Sequence, residues 1–405
     1  MPSSTARRAL DQPDLFQPHP ADGEAEDAAA QSANGERVGG ELADGQNGSA
    51  RDEAHEVTID PAVPLKSAAG AHAERWLYPT DAGLFCVPAA AHIDPHKPVD
   101  RAIITHGHAD HARAGHGEVI TTPETRAIME TRYGDSCADA FVTYPCGTPF
   151  EVGACAVRFA PAGHILGSAQ IVLDFEGTRV VVSGDYKREA DPTCTPFEVV
   201  PCDVFVTEAT FGLPVFQHEP AIKEAGRLVA SLRAQPDRFH LLGVYGLGKC
   251  QRMLSLIRGH GYDAPIYLHG ALVALTELYT QLGHDFGDVR PVAGNRKAKD
   301  FEGRLVLCPP SAIGDRWSRR FGDCVAGFAS GWMRVRGRAR QRGVELPLIV
   351  SDHADWRELI TTIQETGATE VWVTHGREDA LVHQVRKMGG CARALALVGR
   401  EDESE

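Results

Sequence analysis

The residues best suited to chemistry are four potential metal ligands that lie within six positions, directly after a short apolar run. The run RAIIT at 101–105 predicts a buried strand, and it continues into HGHADH. Neutral imidazoles and a carboxylate are the usual protein ligands of zinc. His106 and His108 can converge on one ion, and Asp110 and His111 then face a second. A solvated, histidine-rich loop is the alternative, but this order of ligands after a strand favours metal binding.

Three later segments repeat this arrangement, because each is an apolar run that ends in a ligand-type side chain. One ends at His164, the run TRVVVS leads to Asp185, and the run VWVT leads to His375. A single histidine at a strand end is more often structural. Open sheets, however, build their sites from several strand ends that meet at one edge. The three segments together therefore indicate a site, although none of them does so alone.

The elements that position these residues belong to an ordinary globular chain. Its 405 residues are 43% hydrophobic and 24% charged, which leaves room for two or three domains and excludes a collagen or a coiled coil. No apolar run is long enough to span a bilayer, and the N-terminus lacks the apolar stretch of a signal peptide. We therefore expect a soluble, cytoplasmic protein without a membrane partner. The ten cysteines are scattered, which predicts reduced thiols.

The net charge of -14 at first argues against a partner with a nucleic-acid backbone. The charge is uneven, however: residues 1–75 hold 14 acidic and 6 basic side chains, and residues 401–405 add four acidic ones. Residues 76–400 therefore carry only -2. Residues 1–75 lack a hydrophobic period and predict a disordered acidic tail, and 401–405 is an acidic C-terminal tail.

The motifs H-x-H-x-D-H, Gly-His, Ser-Gly-Asp and a strand-terminal His, in this order, resemble those of the metallo-β-lactamase fold. The resemblance covers about Leu77 to Arg400 and implies an αββα sandwich with two divalent ions, Zn²⁺ first and Mn²⁺ as an option. Asp94 stands where the family places an aspartate that supports the H-x-H loop. The implied ligands are His106, His108 and His164 for the first ion, Asp110, His111 and His375 for the second, and Asp185 as the bridge between them.

Two further motifs resemble motifs A and B of the β-CASP nucleases. Glu208 opens EATFG after an apolar run, His353 lies in SDHAD, and His375 then corresponds to motif C. The resemblance implies that residues 210–344 are an inserted α/β cap domain over the metal site. Residues 76–209 and 345–400 would then form the two parts of the metallo-β-lactamase domain.

Longer runs, such as THGHADHARAGHG and ASGWMRVRGRARQRGVELPL, look like the bacterial ligase-associated DNA exonucleases. That subfamily implies DNA as the partner, as single strands or duplex ends, 5′ to 3′ polarity, and a link to an ATP-dependent DNA ligase in repair. His375 is, however, typical of RNA-directed β-CASP members, so an RNA-processing nuclease is the leading alternative. A metal-binding scaffold without catalysis is a third hypothesis, against which the complete ligand set counts.

The family chemistry assigns roles to three residues. Two ions can lower the pKa of a water and clamp the phosphate, with Asp110 counted as catalytic as well as a ligand. His353 would protonate the leaving 3′ oxygen, and Glu208 would orient His353. The product would carry a 5′-phosphate. The alternative for His353 is a residue at a helix start without a catalytic part, because apolar residues at helical spacing follow it from Trp356 towards a C-cap at Gly367.

Several basic residues are candidates for substrate binding. Lys187 and Arg188 directly follow Asp185 and are predicted to contact a phosphate. Arg334 and Arg336 begin an alternating series that ends at 342, and Trp332 beside them predicts stacking on a single strand, although a solvated face is the alternative. A second basic cluster lies at 296–299.

The segment GVYGLGKC at 243–250 fits the P-loop pattern G-x4-G-K but has Cys250 where a P-loop needs Ser or Thr to hold Mg²⁺. An ATPase is therefore not expected. Lys249 could instead contact a DNA phosphate at the start of a helix, or the turn could be structural, and both interpretations stay open.

Overall fold

The computed structural model describes residues 72–292, 298–319, 322–395 and 397. The predicted acidic tail at 1–75 lies outside these residues as far as residue 71, as do the acidic tail at 401–405 and most of the basic cluster at 296–299. A 3-10 helix, Ala73–Arg75, precedes the first strand and has Ala73 buried, so regular structure begins before the predicted boundary at 76. Within the described ranges, no helix has the length and apolar character that crossing a membrane requires.

The first sheet has six strands in sequence order, with α1 beside it. Its first two pairs are antiparallel and the other three pairs are parallel. Thr122 caps α1 by accepting a hydrogen bond from the backbone N–H of Thr125. The elements are β1 (Leu77–Thr80), β2 (Gly83–Cys86), β3 (Ala91–Ile93), β4 (Arg101–Ile103), β5 (His116–Thr121), α1 (Pro123–Tyr133) and β6 (Ala138–Thr143).

The second sheet begins with four strands that form three successive antiparallel pairs, and it continues into a parallel part. Its first five strands in the chain are β7 (Pro149–Val152), β8 (Cys155–Pro161), β9 (Ala169–Phe175), β10 (Thr178–Val182) and β11 (Val204–Ala209). β10 and β11 pair in parallel, so their C-terminal ends reach the same edge of the sheet.

Residues 221–348, which we call the third-sheet segment, follow β11 and form six parallel strands in the order β14-β13-β15-β12-β16-β17. Apolar residues of α2, α3 and α4 pack on one face of this sheet. The elements are α2 (Ala221–Ala234), β12 (Phe239–Gly243), α3 (Lys249–Gly259), β13 (Ile266–Leu268), α4 (Gly270–Gln281), β14 (Val289–Pro291), β15 (Leu305–Cys308), α5 (Arg316–Arg319), β16 (Cys324–Ala329), α6 (Arg336–Arg342) and β17 (Leu346–Leu348).

The chain then returns to complete the second sheet, whose order is β19-β18-β11-β10-β9-β8-β7. The helix predicted after His353 is confirmed, with Gly367 as a left-handed C-cap, but its N-cap is Asp355, which forms a capping box with Glu358. The returning elements are α7 (Trp356–Thr366), β18 (Glu370–Gly376), α8 (Glu378–Lys387) and β19 (Cys391–Ala394).

The apolar core lies between the first two sheets. Ile103 and Ile120 of the first sheet belong to the same buried cluster as Phe159, Ile171 and Val180 of the second. The outer face of the second sheet packs on α7 and α8, and the outer face of the first packs on α1. The predicted α/β class is confirmed. The ten cysteines all fall among the described residues, and none of them forms a disulfide.

Candidate metal centre

The C-terminal ends of strands carry the ligand-type side chains, as the sequence predicts. His106 and His108 follow β4, His164 follows β8, and Asp185 follows β10. Gly163 has φ +72°, and a Cβ at this position would lie 2.3 Å from the backbone oxygen of Lys187. Only glycine therefore permits the turn that places His164 against the Asp185 loop.

The structure brings the predicted ligands into two overlapping groups. In each group, one ligand atom from every residue lies within 4.8 Å of the others. The first group is His106, His108, His164 and Asp185, and the second is Asp110, Asp185 and His375. His111 lies beside the second group, because its Nε2 is 3.2 Å from Oδ2 of Asp110 and 3.3 Å from Oδ2 of Asp185. Asp185 belongs to both groups, which is the position expected of a bridge.

Backbone carbonyl oxygens fix the tautomers of two of these histidines. Nδ1 of His164 lies 2.8 Å from the carbonyl oxygen of Asp352, and Nε2 of His108 lies 3.2 Å from that of Leu247. A carbonyl oxygen only accepts, so each of these two nitrogens carries the proton. Nε2 of His164 and Nδ1 of His108, the opposite nitrogens, are left with lone pairs.

Asp94 and Thr105 orient the other two histidines of the H-x-H-x-D-H motif. Thr105 donates its hydroxyl proton to Oδ2 of Asp94 at 2.6 Å and therefore accepts from Nδ1 of His106 at 3.0 Å. Nδ1 of His111 donates to the same carboxylate at 2.7 Å. Asp94 thus supports the loop, as the family resemblance implies, and Nε2 of both imidazoles points at Asp185.

The donor set fits divalent metal ions. The two lone-pair nitrogens of His164 and His108 face each other at 3.0 Å, an arrangement that is repulsive unless a cation is shared between them. Nε2 of His106 and Oδ1 of Asp185 are buried and have no hydrogen-bond partner among the described residues. Imidazole nitrogens and carboxylate oxygens, buried and converging in this way, suit Zn²⁺ or Mn²⁺.

The electrostatics keep the histidines of the first group neutral, which is the form that binds metal. Burial lowers the pKa of His106 and of His164 well below the ordinary value, and it also lowers the pKa of His108. Burial alone would raise the pKa of Asp185 and of Asp110. The neighbouring histidines together outweigh burial, with His111 the largest contributor in both cases. They hold the pKa of both carboxyls well below its usual range.

Glu208 and His353 form a buried pair next to this centre. Nδ1 of His353 donates to Oε2 of Glu208 at 2.9 Å and lies 4.0 Å from Oδ2 of Asp185. The other carboxylate oxygen, Oε1, accepts the backbone N–H of Tyr186 at 2.8 Å. The pair therefore fixes one face of the imidazole at the edge of the ligand cluster, and with Asp185 it forms a third group of ligand-type atoms.

His375 is held in a strained conformation at the end of β18. Its φ is +60°, which is uncommon for a residue with a Cβ. Pairing between β11 and β18 is irregular between Thr207 and Ala209, opposite this point. The strain occurs where the imidazole joins Asp110 and Asp185, so the strand end is shaped by the site and not by regular pairing.

Two predicted substrate-binding cations are engaged with α7. Lys187 is buried, with Nζ 3.0 Å from Oε2 of Glu358. Arg188 is half-buried and lies 2.7 Å from a carboxylate oxygen of Glu365. Both charges are balanced inside the protein, and a phosphate contact for either stays a prediction that would require its ion pair to open.

The remaining predicted contacts divide into buried and exposed groups. Lys249 is fully buried, with Nζ 3.5 Å from Oδ2 of Asp352, so the structural interpretation of its turn is the one that the geometry favours. Trp332 is half-buried against Phe211, with Arg338 4.0 Å above its ring. Arg334 and Arg336 are exposed. Their contact with a strand stays a prediction.

Sequence reasoning did not find the outer partners of the ligands. Leu247 and Asp352 act through backbone carbonyls, for which the residue type gives no signal. A pattern could have indicated only Arg252 among these outer partners. It follows Lys249 by three positions, so in a helix the two side chains share a face with apolar residues.

No protein-family model matches the chain. The chain is 27% identical to a "Probable DNA ligase" of Opitutus terrae over 315 residues, which is 76% of this chain and 30% of the ligase. It is 26% identical to "Endoribonuclease YSH1" of Mycosarcoma maydis over 75% of this chain and 44% of that protein. It is also 27% identical to an "RNase J-like protein" of Methanocaldococcus jannaschii over 45% of this chain and 50% of that protein. The chain thus spans half or less of the length of these relatives.

A solved structure has the same fold. It is a protein of unknown function from Enterococcus faecalis V583, with a TM-score of 0.51 and 13% sequence identity, over 76% of this chain and 80% of the other. The ligand cluster lies where the motif series places it, and two of the three relatives carry nuclease names. The resemblance is thereby confirmed: this chain is a relative of the β-CASP metallo-β-lactamase nucleases.

Proposed function

We propose that this protein is a metal-dependent phosphodiesterase that hydrolyses DNA as an exonuclease. The observation that carries the proposal is the junction of two ligand groups at Asp185 with the Glu208–His353 pair beside it. A two-ion hydrolase needs those parts: a ligand set for each ion, a shared carboxylate, and a proton donor at the edge. We assign the seven ligands as the sequence predicts them.

When bound, two divalent ions would neutralise the phosphate charge and lower the pKa of the attacking water. The residues of the chain supply the rest. Asp185 and Asp110 balance the charge of the site, and Asp94 and Thr105 keep the imidazole lone pairs directed at it. Burial keeps bulk solvent from these ligand atoms, since His106, His164 and Asp185 are almost inaccessible.

His353 is the proposed general acid. Its Nδ1 proton is held by Glu208, so the carboxylate sets the orientation of the ring and favours the protonated form. The opposite nitrogen would donate to the leaving 3′ oxygen, which leaves a 5′-phosphate on the product. Glu208 in turn is fixed by the backbone of Tyr186, so it acts on the substrate only through His353.

We propose the third-sheet segment as the cap over the site, within the insertion at 210–344. Two contacts support this, because Leu247 of the segment touches His108 and Lys249 touches Asp352. Arg334, Arg336 and Trp332 would then line the path of a strand, with the exposed guanidinium groups on its phosphates.

DNA is proposed as the substrate because of the subfamily resemblance, which the match to a "Probable DNA ligase" over 76% of this chain supports. The same resemblance motivates 5′ to 3′ polarity, a functional link to an ATP-dependent DNA ligase and a cytoplasmic location. RNA is the second candidate. Relatives named endoribonuclease and RNase J-like favour it, as does His375.

The deciding experiment compares single-stranded DNA and RNA of one sequence, each labelled at the 5′ or the 3′ end. Hydrolysis is followed with Zn²⁺ or Mn²⁺ and with EDTA. We expect DNA to be shortened from its 5′ end to products with 5′-phosphates, with no product in EDTA. Cleavage of RNA alone would replace the first candidate by the second. Release of the 3′ label first would reverse the proposed polarity.

A further inference from the structure

The two carbonyl oxygens that fix metal-ligand tautomers lie outside the ligand motifs that the sequence predicts. The carbonyl of Leu247, in the turn before α3, accepts from His108, which is 139 positions away in the chain. The carbonyl of Asp352, after β17, accepts from His164. Both histidines belong to the first ligand group. The residues that fix the positions of these two carbonyls therefore fix the tautomers of two of the four ligands in that group.

Asp352 is held by two buried cations of α3. Nζ of Lys249 is 3.5 Å from Oδ2 of Asp352, and a guanidinium nitrogen of Arg252 is 3.6 Å from Oδ1. Arg252 also donates to the backbone oxygen of Ser351, the residue before Asp352. The side chain and the preceding carbonyl are thus both fixed from α3, which determines where the Asp352 carbonyl points.

Arg252 is itself held by two carboxylates of the loop that follows Asp185. It donates to Oε2 of Glu189 at 2.7 Å and lies 3.6 Å from Oδ2 of Asp191. Only 1% of its side chain is exposed. Burial alone would lower the pKa of this guanidinium, but Asp191, Glu189 and Asp352 hold it above its ordinary value. A permanently charged group therefore ties α3, the Asp185 loop and Asp352 together.

The turn before α3 is also fitted to the loop that carries His164. Gly248 has φ +84°, and a Cβ there would lie 2.3 Å from Cγ2 of Ile165. Glycine is required on both counts. The close approach places the Leu247 carbonyl within reach of His108, and it explains a G-x4-G-K segment that lacks the hydroxyl of a P-loop.

We propose that Arg252 and Lys249 are positioning residues for the first metal ion. They hold Asp352 so that its carbonyl keeps His164 in the tautomer that binds metal, while the adjoining turn does the same for His108. The inference rests on the proposed function only in requiring that metal binds; it does not require that the substrate is DNA. It makes the affinity of one of two ions depend on a helix of the third-sheet segment.

The test measures metal affinity and not hydrolysis. The metal-free full-length chain is titrated with Zn²⁺ in competition with a chromogenic chelator, and with Co²⁺ followed by absorption. We expect Arg252→Gln to lower the affinity for one of the two ions by about 10- to 100-fold, which is the range for loss of an outer partner of a ligand. It should also change the Co²⁺ spectrum. Arg252→Lys should recover part of the affinity because the charge returns without the two-pronged geometry.

Arg258→Gln is the matched control. Arg258 lies on the same helix and is half-buried, but it donates to the backbone oxygens of Phe286, Ala264 and Asp288, away from the metal centre. Its loss should leave both affinities as in the wild type. If Arg258→Gln weakens binding as much as Arg252→Gln, the effect is a general loss of stability and the inference is wrong.

Lys249→Met decides the question if Arg252→Gln does not fold, because it removes one charge and keeps an unbranched chain of similar length. We expect it to lower the affinity for the same ion. Wild-type affinity for both ions in folded Lys249→Met and Arg252→Gln would reject the inference and leave the proposed function intact. A wild-type chain that binds no ion would instead reject the proposed function, and the inference with it.

Discussion

The metal centre and the arginine-rich segment at 334–340 are built in opposite ways. In the metal centre, the imidazoles of His106, His108, His111 and His164 each have an identified partner on the nitrogen that does not face the cluster. In the arginine-rich segment, Arg334, Arg336 and Arg340 are exposed. Precise coordination requires side chains whose rotamers are fixed before the ligand arrives, whereas a phosphate backbone is followed by charges that can move.

Lys187 and Lys249 fall between these two cases. They are cations, like the arginines, but they are buried and face Glu358 and Asp352. A buried charge must be paired, and a paired charge has little attraction left for a phosphate. Position along the chain next to Asp185 is therefore a weaker guide to phosphate binding than exposure.

The largest effect is expected at the shared carboxylate. Asp185→Ala removes the one residue common to both ligand groups, so hydrolysis should fall to background and the metal content should fall below two ions per chain. Metal content is measured by elemental analysis after gel filtration. Wild-type activity in a folded Asp185→Ala protein would contradict the metal assignment.

The next effect separates the acid from the ligands. His353→Asn should lower kcat by about 10²- to 10⁴-fold, the usual contribution of a general acid, while both ions stay bound. Glu208→Gln should lower kcat less and move the basic limb of the pH profile to lower pH, because a neutral partner stabilises the protonated imidazole of His353 less than a carboxylate does. If metal content falls with kcat, His353 is a ligand and the third ligand group is a metal site.

Lys187→Met tests whether a buried cation serves the fold or the substrate. Removal of one partner of a buried ion pair costs about 3–5 kcal/mol, and partial exposure of Glu358 reduces this to about 1–3 kcal/mol. We expect this loss in urea unfolding and little change in KM for DNA. A KM that rises while stability is unchanged would instead support the phosphate contact that the sequence predicts.

His240 tests whether a lowered pKa by itself marks a ligand. It is buried in β12, away from the cluster, and burial lowers its pKa to about 4. The unfolded chain therefore takes up a proton at this residue near pH 6.5, before the folded chain does, and stability declines from there towards pH 4. In the metal-free protein, His240→Gln should remove about 2 kcal/mol of the stability loss between pH 7.5 and pH 5, measured by urea unfolding. An unchanged pH dependence would show that His240 is not neutral when folded.

The smallest effect is expected in the exposed segment. Arg334→Ala with Arg336→Ala should lower the slope of the salt dependence of single-strand binding by about 1.4, because each of two phosphate contacts contributes about 0.7. Arg179→Ala is the control, since Arg179 is exposed and paired with Asp174 at the opposite end of β10 from Asp185. An unchanged slope in the double variant would remove these arginines from the strand path.

The sequence was sufficient to predict the α/β class and the approach of the ligands to one another. Both follow from a repeated pattern, an apolar strand that ends in His or Asp. The pattern did not show that the strands belong to two sheets, with β4 in the first and β8, β10 and β18 in the second. The helix after His353 was predictable from its apolar spacing, although its cap is Asp355.

The partners of the ligands were not predictable for a physical reason. A backbone carbonyl belongs to every residue, so Leu247 and Asp352 have no compositional mark, and their roles depend on contacts made over more than one hundred positions. The fate of Lys187 likewise depends on Glu358, 171 positions further on.

The hydrogen bond from His108 to Leu247 also bears on how this architecture can be altered. A hybrid protein that takes its third-sheet segment from a relative must deliver a carbonyl oxygen to the same point, or His108 would be free to turn its proton towards the cluster. The segment is therefore not an exchangeable module. Grafts that preserve the glycine turn at 246–248 together with Arg252 should retain metal, and those that preserve only the exposed surface should not.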